Sequence, residues 1–460
     1  MKLSNTTPYP ALAFEGLDQL GQSFHVVVMR QTYTWNENGL LIVADEQDPL
    51  RFEDQMADPN DVMSGILEES DLAHYKPKCD VIIKGHAYAP KHRQNQDSFT
   101  ASIKLQSPDT LTLAEPIAPN KYIFNEKAPS KQASEQYSQG HTLINKTLAI
   151  LSPRHAIAGL ESLTGKVSYR IKSDPMPNKV SLNPSSSFGG YCLIEEDHPA
   201  IRAMDKDELI PKQERESIRL NPHHGTIAYL EEDPFNPAGR GYTTPGYQKA
   251  MKSQRIELSQ IHHPDMLIND NIINQMSRKP LDKDTHTKLV VGFGVRNKSH
   301  PDRSKLIGKV DQDFIDSGKA YPPGFDFAMW NCAYPDQQTD YLQGNEWLTL
   351  TNLCHQDTKA ATLNKKGDIE LKIYLPETLA YLELESSHPQ LMGTELPMHL
   401  DTVIVSPDEQ KVHLVWRSMV ISDYQPKKAV LKVMDKQQMD KIKTQYFTQT
   451  RQVVRPYESK

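Results

Sequence analysis

His86, set in Lys84-Gly85-His86-Ala87, comes nearest to catalysis by type and setting. An imidazole titrates near neutrality, and the glycine before it opens the end of a strand. A lone histidine at a strand terminus more often bonds a backbone carbonyl or packs, and that plainer role is expected here. The pairs His223-His224 and His262-His263 look like metal ligands. Neighbours in extended chain point to opposite sides, so neither pair closes on one ion unaided. No H-E-x-x-H, H-x-H or D-x-D-x-D-G run occurs, and no metal or cofactor is expected.

Nucleophile signatures are missing as well: there is no G-x-S-x-G elbow and no G-x-x-x-x-G-K-[ST] phosphate loop. Gly292-Phe293-Gly294, followed by Val295-Arg296-Asn297, lacks the third glycine of a dinucleotide fingerprint. The carboxylate pairs Glu195-Glu196 and Glu231-Glu232 read as a solvated face, although paired carboxylates on a β scaffold also serve glycosidases. Asp71, Lys76, Lys78 and Asp80 alternate in charge around Pro77. They form either a surface loop of weak local ion pairs or a stiff polar rim beside a partner groove.

The elements that must position these residues are mostly strands. Phe24 to Trp35 is β-branched and aromatic, breaks at Asn36-Glu37-Asn38-Gly39, and resumes at Leu40 to Val43, which predicts a hairpin. Residues 57 to 72, opening on Asp58-Pro59-Asn60-Asp61, are expected to form a short helix. A strand from Asp80 to Lys84 follows, with Phe99 to Leu105 as its expected partner. Strands are also predicted at Trp347–Leu353, Ile369–Leu375, Thr402–Val405, Lys411–Arg417 and Ala429–Met434, with a turn at Ser406-Pro407-Asp408.

Composition sets the outer limits. The chain has 460 residues, only 37% of them apolar, and its 32 prolines against 22 glycines predict long connections between short strands. The fold class expected is mainly β: antiparallel sheets in one large or two-lobed sandwich-like body, with short helices and long loops. The expected division is a β lobe over 1–105, a partly helical or disordered insertion over 106–160 with a helical pattern at Leu143 to Leu151, a second β-rich lobe over 161–434, and a helix and tail over 435–460. A net charge of -7 argues against nucleic acid and anionic lipid as partners. The start of the chain has no apolar leader, and no window is apolar enough for a membrane helix, so a cytoplasmic location is expected. Cys79, Cys192, Cys332 and Cys354 lack C-x-x-C spacing and read as reduced, mostly buried thiols.

The stretch from Ser70-Asp71-Leu72 through Lys76-Pro77 and Asp80 to Gly85-His86-Ala87-Tyr88-Ala89-Pro90 resembles the signature of bacterial proteins built on domain of unknown function 2169. The likeness extends along the chain in order: Asn5-Thr6-Thr7-Pro8-Tyr9-Pro10, Gln47-Asp48-Pro49-Leu50, Phe188-Gly189-Gly190, Asn236-Pro237-x-Gly239-Arg240-Gly241-Tyr242, Gly292-Phe293-Gly294, Phe325-Asp326-Phe327 with Asn331, Asp336-Gln337-Gln338 before Gly344-x-Glu346, Leu400-Asp401-Thr402-Val403 and Val415-Trp416-Arg417. The sequence departs from the family's pattern in the 106–160 segment and at Ser185-Ser186-Ser187, where the family tends to have larger residues.

That family is associated with type VI secretion. The resemblance implies a non-enzymatic adaptor or chaperone that holds an effector, commonly one with a PAAR-like domain, and helps load it on the VgrG spike. It marks Asp71, Lys76, Pro77, Asp80, Gly85, His86, Tyr88, Pro90, Gly189, Gly190, Asn236, Pro237, Gly239, Asp326, Asn331, Asp336, Gln337, Gln338, Trp416 and Arg417 as family-motif and possible partner-binding residues. Two other classes fit the residues. Trp330, Trp347 and Trp416 suit a carbohydrate-binding or carbohydrate-processing β protein, and a structural component of the secretion particle is the second.

Overall fold

A computed structural model describes residues 1–18, 21–59, 61–94, 96–108, 116–117, 121–122, 141–160, 167–187, 190–218, 225–232, 255–265, 267–278, 291–342, 344–386, 394–422 and 425–434. Among them strands dominate, and the largest sheet has seven. In order across it run Ala11–Leu17, Ser23–Trp35, Lys411–Ile421, His399–Ser406, Cys79–Ile83 and Gln338–Thr339, with Leu41–Val43 paired to the far end of Ser23–Trp35. Neighbours are antiparallel except Cys79–Ile83, which lies parallel to His399–Ser406.

Cys79–Ile83 explains itself. Cys-Asp-Val-Ile-Ile is an almost unbroken apolar run, and every residue in it is buried, as a central strand covered on both faces requires. Val81 and Ile83 enter the main core. Ile82, on the other face, packs with Ile66, Val295, Cys332, Ala333 and Ile404. Asp80 shares the Ile82 side of the pleat, which puts a carboxylate under the loops that cover it.

The main core is shared by three sheets. A six-stranded sheet (Ile261–His262, His141–Leu151, Ser98–Ser107, Trp347–Thr351, Ile369–Tyr374, Ala361–Leu363) contributes Ile103, Leu148, Leu350 and Leu371. A four-stranded sheet (Lys2–Asn5, Pro426–Met434, Leu379–Ser386, Thr394–Pro397) contributes Leu382, Leu384 and Leu431. A five-stranded sheet (Val167–Ser173, Arg154–Leu160, Arg255–Leu258, Gly190–Glu195, Ile227–Glu232) keeps its own smaller core with the helix Asp270–Arg278, around Ile194, Tyr229, Ile256 and Ile273. The lobes therefore do not follow the chain in sequence. Residues before 105 and after 340 interleave in the same sheets, and the separate core draws on residues 156–273.

Three local expectations are corrected. Residues 57 to 72 are not a helix: Gln55–Asp58 and Asp61–Glu68 form an antiparallel hairpin, and the Asp58-Pro59 signal read as a helix start belongs to its turn. Phe99 to Leu105 is a strand, but it pairs with His141–Leu151 and Trp347–Thr351, while Cys79–Ile83 pairs elsewhere. Leu143 to Leu151 is extended; Ile144, Lys146, Leu148 and Ile150 are buried on alternate positions, and the lysine among them hid the period of two. Within 106–160, then, the described residues at 141–151 and 154–160 are sheet strands, while 123–140 lies outside the described residues, as does the C-terminal segment 435–460.

Two buried histidines make this fold sensitive to acid. His413, hydrogen-bonded to Asp48 at 2.8 Å, and His399, stacked on Tyr341, are each pushed down to about 4 by burial. The unfolded chain takes up these protons near pH 6.5 and the native chain only near 4, so stability is lost as pH falls through that window. Urea unfolding at pH 7, 5.5 and 4.5 should show a drop of the order of 2–3 kcal/mol per histidine. His413→Gln should flatten part of that slope, and an unchanged slope in the variant would contradict the assignment.

Candidate functional site

The signature segment crosses the seven-stranded sheet and is tied to it by buried charge. Glu68, at the end of its strand, receives Arg30 at 2.6 Å, Arg51 at 3.0 Å and Lys84 at 2.7 Å. Burial alone would raise this carboxyl; the three cations overcome it and hold it well below the usual carboxylate range. Arg30 also reaches Asp71 at 3.2 Å, and Asp71 accepts the Arg51 backbone N–H at 2.8 Å. Arg417, on Lys411–Ile421, pairs with Asp401 at 2.6 Å and donates to the carbonyls of Asp71 and Ala73.

Lys76 is the next tie. Its ammonium donates to Asp80 at 2.9 Å and to the Thr402 hydroxyl at 2.8 Å, with almost no exposure at either charged residue. Desolvation works against its charge, yet Asp80 beside it raises the amine above its ordinary value. Asp80 also accepts the backbone N–H groups of Cys332 and Ala333 at 2.9 and 3.1 Å. Asn331 closes the same loop on the signature by bonding the backbone of Lys78 in both directions. Gln337 donates to the carbonyls of Val81 and Phe293 at 2.8 Å each and accepts Lys146 at 2.8 Å; Lys146 pairs as well with Asp336. Gln338 holds the Ala333 carbonyl, Trp416 donates to Gln31, and Asp326 caps the short turn Phe327–Trp330 through the Ala328 N–H. Behind the loops, Arg303 forms a fork on Glu69 at 2.5 and 2.8 Å.

The structure thus brings Asp71, Lys76, Asp80, Asn331, Gln337, Gln338, Trp416 and Arg417 into one polar web, and most of it is buried. The Asp71, Lys76 and Asp80 charges are neither an exposed loop nor an open rim: each is under 6% exposed. Pro77 is half-buried, Lys78 alone of this group is exposed, and Pro90 is buried. Gly190 begins the strand Gly190–Glu195, whereas Gly189, Asn236, Pro237, Gly239 and the His223-His224 pair lie outside the described residues.

His86 with Tyr88, and His74 with Tyr321 and Trp330, form two partly exposed groups of reactive or aromatic side chains. In the first, His86 Nδ1 lies 2.6 Å from one Asp408 oxygen and the Tyr88 hydroxyl donates to the other at 2.7 Å, with His355 ring-to-ring on Tyr88. Gly85 is needed there: its φ is +118°, and a Cβ would sit 2.7 Å from the Asp408 carboxylate. Burial and the Asp408 hydrogen bond both raise the Tyr88 phenol, which keeps it a neutral donor.

The second is a cleft of about 360 Å³ lined by Glu15, Gly16, Leu17, Ser23, His74, Ala320, Tyr321 and Trp330. His74 Nδ1 is 2.6 Å from the Tyr321 hydroxyl, and its ring meets Trp330 at 5.5 Å between centroids. Tyr321 stacks on Phe325 at 4.2 Å. Burial, with Arg417 adding to it, lowers His74, so its neutral ring is favoured. The Trp330 indole N–H has no acceptor among the described residues, and Leu17 is 41% exposed at the rim. Sequence reasoning passed over His74, because the rings it meets come from residues 321–330 and nothing beside it in the chain marks the cleft.

His262 is buried against Ser259 and Arg154, while His263 faces solvent near Asp265, so the pair divides between core and surface. Among the described residues no three His, Cys, Asp or Glu groups gather as metal ligands, all four cysteines are buried free thiols, and no helix is long and apolar enough to cross a membrane.

The fold and this web define a β-rich protein whose loops are pinned by internal ion pairs. The chain belongs to the family described as "Uncharacterized protein conserved in bacteria (DUF2169)", which matches residues 20–117 and 144–417. The unmatched span between those two segments falls within the expected insertion. No curated protein and no solved structure matches the chain.

If Lys76 and Asp80 hold the loops as their geometry implies, Asp80→Ala strands a buried ammonium and two backbone N–H groups. The expected loss is about 3–5 kcal/mol by chemical denaturation. Lys76→Met with Asp80→Ala should be less damaging than the two single losses added together. Single variants within about 0.5 kcal/mol of the parent would show that the pair is incidental.

Proposed function

We propose that this protein is a non-enzymatic adaptor that holds a type VI secretion effector, one with a PAAR-like domain, and presents it to the VgrG spike. The resemblance of the ordered motifs supports the class. The aromatic cleft at His74, Tyr321 and Trp330 carries the reading to particular residues. A partner polypeptide has what that cleft lacks: an apolar side chain to lie between the exposed Leu17 and the rings. Tryptophan and tyrosine in a half-desolvated pocket are the residue types that dominate binding energy at protein interfaces. The web beneath keeps loop-ordering costs low when a partner docks.

The His86–Asp408–Tyr88 group takes a supporting part in this reading. Asp408 is already occupied on both oxygens by His86 and Tyr88, an arrangement that fixes the loop Pro407–Glu409 against the signature. The carbohydrate reading draws on the same rings at Trp330, and a component of the secretion particle would use the same surface. A glycan array tests the former, and retention of the chain in assembled particles marks the latter.

Co-expression with any spike-tip or toxin protein found to be encoded beside this gene is the direct test. The effector should be soluble and co-purify with the parent chain. Trp330→Ala should weaken the complex by about 2 kcal/mol, roughly thirtyfold in Kd, and Tyr88→Ala should weaken it less. An effector equally soluble without this chain, or bound equally by Trp330→Ala, contradicts the proposal.

A further inference from the structure

Among the described residues, the five-stranded lobe carries a buried cation with no counter-ion. Arg154 opens the strand Arg154–Leu160 and is 8% exposed. Its Nη1 donates to the Ile268 carbonyl at 2.8 Å, its Nη2 lies 3.2 Å from His262 Nε2, and its Nε is buried with no acceptor. Among the described residues no carboxylate pairs with it. Arg30, Arg303 and Arg417, by contrast, each meet an acid. Burial lowers Arg154 to about 10, and no neighbouring acid offsets that pull. A buried guanidinium left in this state is costly unless something negative joins it.

The space for a ligand is present. Arg154 lines a cleft of about 390 Å³ together with Ile171, Ser173, Ile268, Asn269, Asp270 and Asn271. The cleft lies where the nine-residue helix Asp270–Arg278 begins beside the strand Val167–Ser173, so the positive end of the helix dipole borders it. Asn269 caps that turn by accepting the Ile272 N–H. Asp270 is the acid in this wall, and one of its oxygens is engaged by the Ile171 N–H at 2.8 Å.

We propose that this cleft binds an oxyanion, a carboxylate or a phosphate, which accepts from the Arg154 guanidinium at the helix start. The Nε is sealed from solvent, so an oxygen in the cleft meets the guanidinium at its Nη groups and gains a charge-assisted bond there. The site belongs to a different lobe from the aromatic cleft and does not rest on the adaptor reading.

The test is thermal unfolding of the full chain in chloride, phosphate and acetate at matched ionic strength, with two further samples holding a short peptide that ends in a free carboxylate or in an amide. At least one of phosphate, acetate and the carboxylate peptide should raise Tm by a few degrees over chloride or the amide peptide. The inorganic or acetate arm would mark a small free anion as the ligand, and the peptide arm alone a polypeptide terminus. Arg154→Gln should abolish the rise. If that variant does not fold, Asn271→Asp, exposed at the mouth, should weaken the same anion severalfold by repulsion. A Tm no higher in any arm, or a rise that survives whichever of the two variants folds, overturns the proposal.

Discussion

Glu68 meets three cations inside the protein, and much of the rest depends on that contact. A carboxylate removed from water is tolerated only when positive charge close by offsets the lost hydration; here Lys84 donates a hydrogen bond to Glu68, and Arg30 and Arg51 add ion pairs. Arg30 comes from a central strand, Arg51 from the loop after the first hairpin, and Lys84 from the end of the signature strand. One side chain therefore fixes three segments that are distant in sequence. Lys76 with Asp80, and Arg417 with Asp401, repeat the device along the same face. Removing any one partner leaves a buried charge, which makes this web more demanding of its sequence than an apolar core of equal volume.

The web also explains why polar residues mark this chain so clearly. Asp80 sits in the middle of an apolar strand because the loop at Cys332 and Ala333 needs an acceptor there. Gln337 stands where an amide can bond two carbonyls and a lysine at once. Asn331 and Gln338 bond backbone in the same way. In sequence Asp80 read as part of a surface loop or a possible binding rim, and the resemblance marked the other three as possible partner-binding residues; their geometry makes them the internal frame. Surface chemistry is left to the half-buried aromatics at Tyr88, His74, Tyr321 and Trp330 and to the Arg154 cleft.

Much of the fold was legible where pattern and environment agree. The hairpin from Phe24 to Val43, the Asp80 strand and the strands after Trp347 follow from β-branched runs and turn residues, and each forms as expected. Pairing was not legible, because strand partners depend on contacts such as Ser98–Ser107 with Trp347–Thr351, far apart in the chain. The 143–151 strand was misread because Lys146 occupies an inward position, where Gln337 and Asp336 receive it; a lysine there imitates a helix's polar face. The 55–68 hairpin was misread because Asp-Pro serves both helix starts and turns. Of the sites, His86 stood out by type alone, whereas the cleft around His74 and Trp330 is assembled from three separate segments and leaves no local trace.

The proposal divides the labour: buried charge fixes the frame, and surface aromatics would meet a partner. Native-state hydrogen exchange with and without the co-expressed effector tests it most directly. Amides of 79–83 and of Cys332 and Ala333 should exchange only through global unfolding and be unchanged by the effector, while those of 320–330 and around His74 should gain protection on binding. Exchange of the 79–83 amides by local opening, or protection gained there while 320–330 is unaffected, would contradict the account.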